Sequence, residues 1–138
     1  MRAVLDANVL ISAILSPRGS PAGLLRAWQA GEFELVASPK LLAEVRRALR
    51  YPKLERLVPP ADADAFVTWI ARSAVIAPDP GDPPPVHSVD PGDDYLLALA
   101  AVERAVLVSG DADLTSLRAQ VPVRTAAEFL AGLRSLDG

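Results

Sequence analysis

The chain has no cysteine and a single histidine, His87. Without thiols there is no disulfide framework, no thiolate zinc site and no iron–sulfur cluster, and the lack of cysteine suits a reducing cytosol. One histidine with no serine or cysteine motif around it makes no nucleophilic triad, and its place in a proline-rich stretch predicts an exposed side chain. Long hydrophobic runs are also missing: none approaches the ~20 residues that a membrane helix requires. The start, with Arg2 and then Asp6, lacks the long apolar core of a signal peptide. The expectation is therefore a cytoplasmic protein with no membrane partner. An excess of positive charge is missing too, since the formal net charge is −3 and the only lysines are Lys40 and Lys53. Nucleic-acid binders usually carry a basic surplus, so the balance argues against such a partner unless bound cations neutralise several of the acids.

What is present is a chain of 138 residues, 51% of them hydrophobic. That length suits one compact domain over residues 1–138, which at this size buries roughly 70% of its unfolded surface. Ala3, Val4 and Leu5 form a short apolar run that reads as a buried parallel strand, and Asp6 follows it immediately. A helix is expected from Asn8 to Leu15, broken by the turn residues 16–21. Ser20 looks like an N-cap, with Pro21 opening a helix that passes Trp28 and stops at Gly31. A second strand is expected over Phe33 to Ala37. Ser38-Pro39 repeats the cap-and-proline signal before a helix whose apolar stripe is Leu41, Leu42, Val45, Ala48 and Leu49.

Tyr51-Pro52 ends that helix, because the residue before proline disfavours the helical region. A short helical piece from Lys53 to Leu57 follows, then a helix led by Asp62 or Asp64 and carrying Phe66, Val67, Trp69 and Ile70. Val75, Ile76 and Ala77 make a possible third strand, and the proline-rich stretch 78–85 is a surface loop. Asp90-Pro91 opens a helix through Leu96, Leu97, Ala100 and Ala101 to Arg104. Val106, Leu107 and Val108 form a clear buried strand ended by Ser109, Gly110 and Asp111. A short helix at Leu114 to Leu117, a strand within Val121 to Arg124 and a helix from Thr125 to Leu136 complete the chain. Trp28 and Trp69 stand at helical spacing with other apolar residues, which predicts core packing.

This alternation predicts an α/β fold in three layers, α/β/α, around a central, mostly parallel sheet. The carboxyl ends of parallel strands share one edge, where open α/β sheets bind their ligands. Asp6 and Asp111 fall on that edge. Glu44 borders the buried stripe of its helix and leans toward the edge. Asp90 is a natural N-cap, and Asp93 at the third helical position completes a capping arrangement. Asp94, in line with Leu97, Ala98 and Ala101, is expected to point inward, where a lone desolvated carboxylate would cost several kcal/mol or take up a proton.

Each acid alone has an ordinary reading as a turn, cap or boundary residue. Four acids aimed at one edge, with few lysines to neutralise them, point instead to a bound cation. Oxygen ligands without thiolates select hard ions such as Mg²⁺ or Mn²⁺. Such a site suits in-line displacement at phosphorus, which makes the chain a metal-dependent phosphodiesterase or phosphatase.

The ordered motifs carry a resemblance. Val4-Leu5-Asp6-Ala7-Asn8-Val9-Leu10-Ile11-Ser12, then Glu44 in a helix, then Asp93-Asp94-Tyr95-Leu96-Leu97-Ala98-Leu99-Ala100, then Leu107-Val108-Ser109-Gly110-Asp111-Ala112-Asp113-Leu114, resemble the signature of the PIN domain. The likeness is to bacterial toxins of toxin–antitoxin pairs, the VapC-type ribonucleases, and spans essentially the whole chain. It implies a Mg²⁺/Mn²⁺-dependent endoribonuclease acting on RNA, a homodimer and a cognate antitoxin partner. By position, it implies Asp6, Glu44, Asp94 and Asp111 as catalytic metal ligands. Asp94 is chosen over Asp93 because the family acid precedes a Leu-Ala step by three residues, as Asp94 does with Leu97-Ala98. Asn8 and Ser109 would orient the acids, and Asp113 would be an outer acid. Arg46, Arg47 and Arg50 are candidate phosphate contacts, against the alternative of a solvated helix face. The competing functions are a phosphatase of another acid-rich α/β fold and a catalytically silent RNA- or protein-binding PIN module. The haloacid-dehalogenase type of phosphatase wants a second aspartate where Asn8 stands.

Overall fold

The computed structural model describes residues 1–137. Its first half runs β1 (Arg2–Leu5), α1 (Ala7–Leu15), α2 (Ser20–Gln29), β2 (Glu34–Ala37), α3 (Pro39–Leu49), α4 (Pro52–Glu55), α5 (Pro60–Ser73) and β3 (Val75–Ile76). After the proline-rich loop come a 3₁₀ turn (Pro91–Asp93), α6 (Asp94–Glu103), β4 (Val106–Val108), α7 (Ala112–Thr115), β5 (Val123–Arg124) and α8 (Ala126–Asp137).

The five strands form one sheet in the order β3-β2-β1-β4-β5, and every pairing is parallel. β1 is the centre, with Val4 opposite Val36 of β2 and Leu107 of β4. Ala3, Val4 and Leu5 are fully buried, which explains why β1 reads as a continuous apolar run rather than an alternating one. Helices α5, α3, α1, α2 and α8 pack successively against one another, while α6 packs on β1 and β4, giving the three-layer α/β/α arrangement. The chain winds outward from β1 to β3 and then returns to the far side of β1 as β4. The strand order thus reverses between β1 and β4, the place where a doubly wound sheet opens a crevice.

Local chemistry sets the element ends. Ser38 caps α3 by accepting from the Leu41 N–H at 3.3 Å. Gly31, at φ +79°, takes the left-handed turn just past α2 that a side chain would strain. At α8, the Thr125 N–H donates to Glu128 Oε1 at 2.9 Å and the Glu128 N–H donates to Thr125 Oγ1 at 3.1 Å, a reciprocal capping box. Trp28 and Trp69 join α2 to α5 with ring centroids 5.0 Å apart.

Three expectations shift. Ser20 is the first residue of α2 rather than its cap, and Gly19 holds the cap position with no side-chain bond. α5 starts at Pro60, ahead of both aspartates expected to lead it. The helix expected from Asp90 is split, because the Asp90 carboxylate accepts from the Gly92 N–H at 2.9 Å and tightens residues 91–93 into a 3₁₀ turn. That last change decides which acid reaches the site.

Candidate active site

Asp6 leaves β1 as the N-cap of α1, its Oδ1 accepting from the Val9 N–H at 2.9 Å. Its other oxygen accepts from the Ser109 hydroxyl, and the same hydroxyl oxygen accepts from the Asp111 N–H at 3.0 Å. Ser109, fully buried at the end of β4, therefore joins the first and last acids of the motif across the β1–β4 crevice. Burial pushes the Asp6 carboxyl above its ordinary range and the nearby Asp111 charge adds to this, while the bonds from Ser109 and Val9 pull the other way. Asp111 caps α7, accepting from the Asp113 N–H at 2.9 Å.

Glu44 comes from α3 and is held from across the cleft, where the Tyr95 hydroxyl of α6 donates to Glu44 Oε2 at 2.7 Å. Burial, and then the Glu44 carboxylate itself, raise the Tyr95 phenol well above its usual range, so it stays a donor. Lys40 Nζ lies 4.5 Å from the centre of the Tyr95 ring, packing the start of α3 on the same side chain.

Asp6, Asn8, Glu44, Arg47, Tyr51, Asp93, Leu96 and Asp111 line one pocket of about 200 Å³, with Ala7 and Ala48 filling its wall. The fourth acid of this pocket is Asp93. Asp94, expected to face inward, turns away: its Oδ1 accepts from the Ser88 N–H at 2.7 Å, and its Oδ2 lies 2.7 Å from His87 Nδ1. The physical reason is that α6 is apolar almost all round, with Leu96, Leu97, Ala98, Leu99 and Ala100 all buried. Its periodicity cannot choose an inward face, and the 3₁₀ turn brings Asp93 into line with Leu96 instead. The pairing with His87, followed by the Ser88 bond, holds the Asp94 carboxyl below its ordinary range. Burial, reinforced by the charges of Asp90, Asp111, Asp6 and Glu44, pushes Asp93 up to about 6.

The remaining expected residues divide. Asn8 lines the pocket, but among the described residues its side chain makes no hydrogen bond to an acid. Asp113 sits in the first turn of α7, outside the pocket lining, and serves Asp111 through its backbone N–H. Of the three arginines only Arg47 reaches the pocket; Arg46 is exposed and Arg50 pairs with Asp64 at 3.0 Å. His87 is 65% exposed yet bonded to Asp94. Sequence reasoning missed Tyr95 and Tyr51, and assigned Asp93 to capping alone. The spacing Glu44, Arg47, Ala48, Tyr51, which is one helical face, carries a signal for Tyr51.

The donor set suits a hard divalent cation. It offers four carboxylates, the Asn8 amide and the Tyr51 phenol, all oxygen ligands, around one arginine, and Asp93 Oδ2 is buried with no hydrogen-bond partner. Among the described residues, no three histidine, aspartate or glutamate side chains already stand close enough to cage an ion.

An acid-lined crevice at the switch point of an all-parallel sheet defines a class, and residues 2–113 match the PIN domain family. The chain belongs to that family, whose members are typically nucleases. It is similar to the uncharacterized protein MJ1680 of Methanocaldococcus jannaschii, 27% identical over 118 residues covering 86% of this chain and 76% of that protein. In fold it is similar to VapBC2 from Rickettsia felis bound to a DNA fragment from its promoter, with a TM-score of 0.64 at 14% identity over 91% of this chain and 98% of that one. A PilT N-terminus domain protein, SSO1118 of Sulfolobus solfataricus P2, superposes with a TM-score of 0.55 at 14% identity, covering 96% and 93% of the two chains. No described helix is long and apolar enough to cross a membrane.

Proposed function

We propose that this chain is a Mg²⁺- or Mn²⁺-dependent endoribonuclease that hydrolyses RNA phosphodiester bonds at Asp6, Glu44, Asp93 and Asp111, and that it is the toxin of a toxin–antitoxin pair. The observation that carries the reading is the unpartnered, buried Asp93 oxygen in a pocket whose other acids are Asp6, Glu44 and Asp111. Membership of the PIN family sets aside the phosphatase of another fold. The fold shared with VapBC2 supports a cognate antitoxin partner; a homodimer and a cytoplasmic location are further parts of the same proposal.

The roles follow from the contacts. Asp6, buried and pinned by Ser109 and the Val9 N–H, is the fixed ligand. Glu44 is oriented by Tyr95, Asp111 by its own cap bond, and Asp93 has a free oxygen for the ion. A divalent cation bound there would lower the pKa of water and offset charge on the phosphoryl oxygens during in-line displacement. Arg47, the one cationic side chain in the lining, would hold a phosphate at the mouth. Hydrolysis there would form a bond from the water oxygen to phosphorus as the opposite P–O ester bond breaks, with the proton lost by the water ending on the leaving oxygen.

The test is cleavage of an unstructured RNA with Mn²⁺ or Mg²⁺, with EDTA and the Asp6→Asn protein as controls. Cleavage that stops under both controls supports the reading. Cleavage that survives either one overturns it, and RNA binding without any cleavage would favour the silent module.

A further inference from the structure

We infer that Tyr51 and Arg47 form a nucleobase subsite beside the acids, where an unstacked base next to the cleaved phosphate stacks on the Tyr51 ring while Arg47 holds the phosphate. This rests on the nuclease reading above and adds a specificity residue to it.

The argument starts from how the aromatics are used. The chain has two tryptophans, three phenylalanines and two tyrosines. All the tryptophans and phenylalanines are committed to one another: Trp28 with Trp69, Phe66 with Trp69, and Phe33 with Phe129, at ring separations of 5.0, 6.1 and 5.2 Å. Both tyrosines lie at the acidic pocket instead. Tyr95 is bonded to Glu44, whereas Tyr51 lines the pocket and is 57% exposed.

Its position is fixed by the backbone. Tyr51 follows the last turn of α3 with its N–H on the Ala48 carbonyl at 3.2 Å, and Pro52 confines it to the extended region, at φ −62° and ψ 138°. Glu44, Arg47, Ala48 and Tyr51 therefore make one stripe, about 10 Å long at 1.5 Å per residue. Along it lie a carboxylate, an arginine and an aromatic ring. Arg47 makes no ion pair among the described residues, while its neighbour Arg50 is occupied by Asp64. A free guanidinium between a metal-suited acid and an exposed ring matches a nucleotide's phosphate and base. Stacking needs a base whose face is open, which a duplex does not offer.

The experiment uses the full chain carrying Asp6→Asn, with Mg²⁺, and a short unstructured RNA containing 2-aminopurine. Binding is followed by anisotropy and stacking by quenching of the 2-aminopurine. The parent protein is expected to bind and quench. Tyr51→Leu is expected to bind about 5-fold or more weakly and to lose the quench, and Tyr51→Phe to keep both. Undiminished binding and quenching in Tyr51→Leu would overturn the subsite alone. Failure of the unsubstituted chain both to bind and to cleave any RNA would overturn the nuclease reading beneath it.

Discussion

The Tyr95 hydroxyl donates to Glu44 Oε2 at 2.7 Å, and this bond ties α6 to α3 across the acidic pocket. A half-buried hydrogen bond to a charged acceptor contributes about 1.5 kcal/mol or more. Tyr95→Phe is expected to lower the unfolding free energy by about that amount in urea titrations. Because Glu44 then loses its orientation, the Mn²⁺ affinity measured by calorimetry should fall as well. An unchanged Mn²⁺ isotherm would show that Tyr95 does not position Glu44.

The two adjacent aspartates are expected to behave differently. Asp93→Asn removes the free oxygen in the pocket and should abolish both Mn²⁺ binding and cleavage. Asp94→Asn weakens the hold on His87 and Ser88, so limited proteolysis should cut more readily within residues 78–89 while Mn²⁺ binding persists. The opposite pattern in a binding titration would return the ligand role to Asp94.

Stability in EDTA should carry the signature of Asp93. Its carboxyl is raised from 3.8 to about 6 in the folded chain, so the folded state holds the extra proton between those values. Unfolding free energy therefore falls as pH rises from about 4 to about 6. Subtracting the profile of Asp93→Asn isolates this slope from Asp94 and Glu128, whose lowered values act in the opposite sense. Saturating Mn²⁺, which binds the ionised form, should remove the fall; a difference profile flat in EDTA would contradict the placement of Asp93.

At the other end of the chain, Thr125→Ala removes half of the capping box of α8. The expected cost is about 1 kcal/mol, seen as a lower urea midpoint with an unchanged slope. Mn²⁺ affinity should be unaffected, since Thr125 lies outside the pocket lining.

Much of this was legible in the sequence, for reasons that are local. Apolar runs such as Ala3 to Leu5, and cap signals such as Ser38-Pro39, depend on neighbours within a few residues, and the elements formed near the expected places. The parallel sheet follows from the alternation of strands and helices, and it alone puts Asp6 and Asp111 on one edge. The ring partners Trp28 and Trp69, by contrast, come from helices far apart in the chain, and only packing brings them together.

The sequence by itself determined an acid-bearing α/β chain, with Asp6, Glu44 and Asp111 directed to a common edge, because strand ends and helix faces are properties of periodicity. Only the tertiary structure decided the fourth member. α6 is buried on nearly every side, so its pattern held no information about which way Asp93 and Asp94 face. The Asp90 bond that tightens the preceding turn, together with the His87–Ser88 hold on Asp94, settled the choice through contacts that spacing cannot express. The same holds for the two tyrosines: one reaches Glu44 across 51 residues of chain, the other is carried to the pocket by the end of α3.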